Sequence, residues 1–79
     1  MPYITPELRD SALYNPMKAG ELNYAVTSVL VDYIALKGKS YQTYNDIIGV
    51  LECAKLELYR RLISILEDQK CYENGDVYK

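Results

Sequence analysis

Apolar residues recur along this chain at helical spacing in two long stretches, with a polar break between them. Leu22, Ala25, Val26, Val29, Leu30, Tyr33 and Ile34 fall three and four positions apart, which places them on one face of a helix. That helix is expected over 19–37. Gly38 stands where a C-capping glycine belongs, and Lys37 and Lys39 beside it favour the negative helix end. Val26, Thr27, Val29 and Val31 are β-branched and lower the intrinsic propensity, so tertiary packing must hold this helix.

The second stretch predicts a longer helix over 43–69. Its main stripe is Tyr44, Ile47, Ile48, Leu51, Ala54, Leu58, Leu62 and Ile65, widened by Tyr59 and Leu66. Ser40 or Thr43 can cap it, and Asp46 supplies a negative charge to the first turn. The stripe is expected to face the first helix. A smaller apolar line, Cys53, Leu56 and Ile63, runs along the opposite side with Arg60 beside it. A two-helix chain does not cover both sides, so the smaller line reads as a subunit interface. The plainer alternative is a scatter of exposed apolar residues, which is common on protein surfaces. Gly49 interrupts the pattern at about 1 kcal/mol relative to alanine, which close helix approach would offset.

The flanks carry less pattern. Residues 1–18 read as an irregular arm broken by Pro2, Pro6 and Pro16. Pro6 can open a short turn of helix through Leu8 and Arg9, with Thr5 as its N-cap. Tyr3, Ile4, Leu8, Leu13 and Tyr14 make the arm too apolar to float free. It is expected to pack on the helices or on a neighbouring subunit. In the tail, 70–79, Asn74-Gly75 is a turn signal, and Val77 and Tyr78 are expected to fold back as a short extended segment. The expected architecture is all-α: one domain, a helical hairpin of two main helices with an arm and a tail, assembling as an oligomeric helical bundle.

Size strengthens the case for assembly. A chain of 79 residues buries a smaller fraction of its surface than a larger domain and ordinarily needs a disulfide, a metal or a partner subunit. Cys53 and Cys71 lack a disulfide-like setting and read as free thiols of a reducing compartment, dispensable for fold and binding. With no histidine, the commonest metal ligand and general base is missing, so no metal, no cofactor and no enzymatic activity are expected. The net charge of −2 gives no basic footprint for long nucleic acid. The apolar runs are too short to span a bilayer, and the N-terminus lacks the layout of a secretion signal. A cytoplasmic location follows as the expectation.

Candidate binding chemistry concentrates at Lys55, Tyr59, Arg60 and Arg61, on two turns of the second helix. Arginine forks suit phosphate, and tyrosine rings are platforms for nucleobases. Every aromatic residue in the chain is a tyrosine, which suits wet contact surfaces as well as a small core. Adjacent arginines point about 100° apart on a helix. Arg61 can pair with Glu57 at the i,i+4 spacing, which leaves Arg60 to face a ligand or partner. In the plainer reading both are surface ion-pair formers. The expected ligand-binding residues are Arg60, Arg61, Tyr59 and Tyr3, the last brought in by the arm acting as a lid.

Three blocks carry a resemblance: Ala19-Gly20-Glu21-Leu22-Asn23-Tyr24; the run from Tyr44-Asn45-Asp46-Ile47 through Leu58-Tyr59-Arg60-Arg61; and Glu73-Asn74-Gly75-Asp76-Val77-Tyr78, with the opening Met1-Pro2-Tyr3-Ile4. Together they resemble a family of short proteins of unassigned function from bacteriophages and bacteria. The resemblance extends to viral anti-CBASS sponges, which sequester cyclic dinucleotide signals without cleaving them. It implies a small homo-oligomer, dimer or tetramer, with a cyclic dinucleotide such as 3'3'-cGAMP as ligand, acting in the host cytoplasm if phage-encoded. The reading from a different class is a small oligomeric helical module that inhibits or adapts a host or virion protein.

Overall fold

The computed structural model describes residues 1–78, and those residues form helices and connecting segments with no strand among them. The helices are α1 (Pro6–Tyr14), α2 (Ala19–Lys37), α3 (Tyr41–Leu58) and α4 (Ser64–Asn74), with a π-helical turn, Tyr59–Ile63, between α3 and α4. Lys79, the last residue of the expected tail, lies outside the described residues. The chain divides into two compact units, Met1–Tyr44 and the segment from Asn45 onward.

In the N-terminal unit the expected irregular arm is largely helical. Pro6 sits in the first turn of α1, where its missing N–H would have had no partner and its fixed φ suits a helix. Thr5 takes the N-cap position without a side-chain capping bond. Its hydroxyl serves Glu7 instead, whose carboxyl is held below its ordinary value by its own backbone N–H and then by Thr5. The prolines at positions 2, 6 and 16 weighed against nine residues of helix. They lie outside α1 or at its first position, where they do no damage. α1 packs on α2, and Ala12 is fully buried.

The arm ahead of α1 is tied down at Gly20. A side chain there would approach the Met1 carbonyl oxygen to 3.3 Å and Ile4 Cγ2 to 3.5 Å, so the absence of one lets the arm cross α2 closely. Arg9 adds a second tie. Its Nε donates to the Ile4 carbonyl at 3.2 Å, and its guanidinium lies 5.7 Å from the centre of the Tyr24 ring.

α2 has the predicted bounds. Lys18 is its N-cap, and the buried Glu21 carboxylate reaches back to accept the Met17 N–H at 3.3 Å, a variant of the capping box. Gly38 closes the helix at φ 91°, ψ 156°, with its N–H donated to the Ile34 carbonyl at 2.7 Å. Ser40, not Thr43, caps α3. Its hydroxyl accepts the Thr43 N–H at 3.1 Å and lies 3.0 Å from the buried Thr43 hydroxyl. The helix therefore starts two residues earlier than expected.

In the second unit the helix outlasts its apolar pattern. It runs to Asn74, where Gly75 at φ 90° donates its N–H to the Cys71 carbonyl at 2.8 Å. The expected end near residue 69 followed the loss of apolar periodicity, whereas the stop is set by the glycine. Gly49 meets nothing within 4 Å of an added Cβ, so no close approach within its own unit offsets its cost to the helix. The main stripe, expected to be covered, leaves Ile48, Leu58, Leu62 and Ile65 exposed, with Ile47 the residue of that stripe that is buried.

Candidate functional site

The expected ligand-binding residues Tyr59, Arg60 and Arg61 open the π turn. In this turn the hydrogen bonds span one residue more than in an α-helix: the Ser64 N–H donates to the Tyr59 carbonyl. The Ser64 hydroxyl donates to the Arg60 carbonyl at 2.8 Å and so satisfies a carbonyl in the widened turn. Single π turns inside α-helices occur frequently at functional sites, because the extra residue re-aims the side chains around it. Nothing in the sequence pattern marked this turn, which the backbone bonding alone defines.

The structure revises the pairing expected for the arginines. Arg61 Nε donates to Glu57 Oε1, as expected from their spacing. Arg60 is not left over: its Nη2 donates to the same Oε1 at 2.9 Å and to Oε2 at 3.2 Å. The i−3 carboxylate was within reach because a planar guanidinium on a long stem can approach from either side. Arg61 first, and Arg60 second, hold the Glu57 carboxyl below its ordinary value. Lys55 pairs with Glu52 at 3.2 Å.

Tyr59 points toward the other end of the segment. Its hydroxyl donates to Glu67, and this hydrogen bond, followed by the charge of the same carboxylate, raises the tyrosine above its ordinary value. A shallow groove of about 330 Å³ lies along the helix, lined by Ala54, Glu57, Leu58, Arg61 and Leu62. A second groove, about 550 Å³, is bounded by Tyr59, Glu67, Lys70, Cys71 and the tail from Asn74 to Tyr78. The tail turns back beside α4 there, and the Tyr78 N–H is accepted by Asp76 Oδ1 at 2.9 Å. Val77 and Tyr78 remain exposed.

Tyr3 belongs to the N-terminal unit. It stands 80% exposed between Pro2 and Ile4, both of which are partly covered. The Ile4 N–H donates back to the Pro2 carbonyl at 2.9 Å and turns the arm at that point. Sequence reasoning missed Glu57 as the group that gathers both arginines. Its signal was the three- and four-residue spacing to Arg60 and Arg61, both of which satisfy the helical pairing rule.

Cys53 and Cys71 are free and exposed. Among the described residues no cluster of three or more acidic, cysteine or histidine side chains has metal-binding geometry. No helix among them is long and apolar enough to cross a membrane.

Residues 1–77 match the family described as Domain of unknown function (DUF6899), and the chain belongs to that family. No curated protein and no solved structure matches it.

Proposed function

We propose that this member of the family is a non-catalytic, cytoplasmic nucleotide sponge of phage origin. It binds a cyclic dinucleotide such as 3'3'-cGAMP and withholds it from a host receptor without cleaving it. The observation that carries this reading is the convergence of the Arg60 and Arg61 guanidiniums on one carboxylate oxygen, within the π turn that Tyr59 opens. Forked donors gathered on one anionic oxygen are the chemistry that recognises phosphate, and tyrosine rings are platforms for bases. The net charge of −2 offers no long-range attraction for an anion, so recognition rests on these short-range groups.

The sponge works as a dimer or tetramer, the oligomeric helical bundle expected from the sequence. In support, Leu56 and Ile63 are exposed, and Leu58, Leu62 and Ile65 are exposed as well. A chain of this size gains stability by burying such residues against a copy of itself. A two-fold symmetric ligand is then held at a subunit boundary, with Arg60 or Arg61 on phosphate and Tyr59 or Tyr3 on a base.

The same exposed side chains favour a second reading, a helical module that inhibits or adapts a host or virion protein. Thermal unfolding with a panel of cyclic dinucleotides separates the two. A ligand stabilises by RT ln(1 + [L]/Kd), so the sponge shows a concentration-dependent rise in Tm. Arg60→Ala weakens binding by about ten- to a hundredfold, since a charge-assisted bond contributes about 1.5–3 kcal/mol. A flat response across the panel leaves the protein-binding module.

A further inference from the structure

Glu57 stands where a phosphate would. Arg61 Nε and Arg60 Nη2 both donate to its Oε1, and Arg60 Nη2 also reaches Oε2 at 3.2 Å. The anion held there carries one negative charge on two equivalent oxygens. A phosphodiester presents the same charge on two unbridged oxygens, and guanidinium forks donate to either anion. The 330 Å³ groove adjoins this point. Ala54, Leu58 and Leu62, with the alkyl stems of Glu57 and Arg61, give it an apolar surface on which a sugar or base edge can lie beside the ion pair.

We infer that Glu57 is a built-in competitor for the phosphodiester of the ligand. It holds Arg60 and Arg61 gathered in the free protein, and a ligand phosphate displaces it from both. Glu57 therefore sets the affinity of the site: each binding event must break its two ion pairs and leave its charge close to an incoming anion. The inference rests on the nucleotide-binding reading and adds the residue that regulates it. If Glu57 served only to stabilise the helix through ordinary i,i+3 and i,i+4 pairs, its removal would lower stability and leave ligand affinity untouched.

Titration calorimetry with 3'3'-cGAMP on the wild type, Glu57→Gln and Glu57→Ala tests the competitor role. Circular dichroism checks that each variant keeps its helix content. Both variants bind about two- to tenfold more tightly, the fold-change that corresponds to one or two exposed ion pairs no longer opposing the ligand. A wild type that binds beside variants that bind equally or more weakly overturns the competitor role and leaves the sponge reading standing. Failure of all three proteins to bind removes the sponge reading, and the competitor role with it.

Discussion

The two units of this chain use helices in opposite ways. In Met1–Tyr44, one helix packs on another, the arm crosses α2 at Gly20, and capping groups come from Glu21 and Ser40. From Asn45 onward several side-chain bonds join residues of one helical run: Glu52 with Lys55, Glu57 with Arg60 and Arg61, Tyr59 with Glu67. That run nevertheless carries strongly apolar residues that stay exposed, Leu62 at 63% and Ile65 at 64% among them. Intrinsic helix propensity and surface ion pairs contribute only tenths of a kcal/mol each. The first unit supplies its own tertiary contacts. The second leaves apolar side chains such as Leu62 and Ile65 exposed and pairs its arginines with Glu57.

The largest effect that would sharpen this contrast comes from Ile63→Glu. In the proposed assembly it buries an unpaired charge in an apolar contact, at a cost of several kcal/mol. Sedimentation at micromolar concentration should show the wild type as an oligomer and the variant shifted to monomer. A wild type that sediments as a stable monomer would remove the assembly.

Next in size is Gly38→Ala. The residue sits at φ 91°, ψ 156°, a region that is nearly closed to a side chain, and nothing crowds the added methyl. The loss of stability is therefore conformational, about 1–3 kcal/mol. Hydrogen exchange should place it at the end of α2 and the start of α3. Ser40→Ala follows at about 1 kcal/mol, the ordinary effect of losing an N-cap, with faster exchange at the Thr43 amide. Neither substitution should change the proposed assembly. If either dissociates it, the division of labour between the units is wrong.

The legibility of the fold follows the same division. α2 could be read from sequence to its ends, because an apolar period of three and four runs into a glycine. α1 was underestimated because its prolines signal a break, yet Pro6 occupies the one helical position that tolerates it. The end of α4 was placed too early because Asp68, Gln69 and Lys70 interrupt the apolar period, while intrahelical bonding continues to Gly75. The π turn left no trace in residue spacing. The residue types of the candidate site could be read from the sequence. Their convergence on Glu57 could not be, since two pairing rules satisfied at once look like alternatives in a sequence.

The smallest effect is a pair of titrations. Glu57 is depressed by Arg61 and Arg60, so its contribution is present above the ordinary carboxylate value of 4.5 and is lost as pH falls through its lower folded value. Tyr59 is raised by Glu67, so its contribution is full below 10 and is lost as pH rises through its higher folded value. Helicity followed by circular dichroism should decline at both extremes. Tyr59→Phe should remove the Tyr59 contribution to the alkaline decline and leave the acid one. A variant with the wild-type alkaline profile would show that the Tyr59–Glu67 bond does not persist in solution.

The central claim is that the chain holds a cyclic dinucleotide and returns it unchanged. The direct measurement is to incubate the protein with 3'3'-cGAMP, remove unbound nucleotide by filtration, denature the retained protein and identify what it releases by chromatography. The account predicts that nucleotide is retained in proportion to protein and recovered intact. Nucleotide that passes wholly through the filter contradicts binding, and recovery of a linear or hydrolysed product contradicts a sponge.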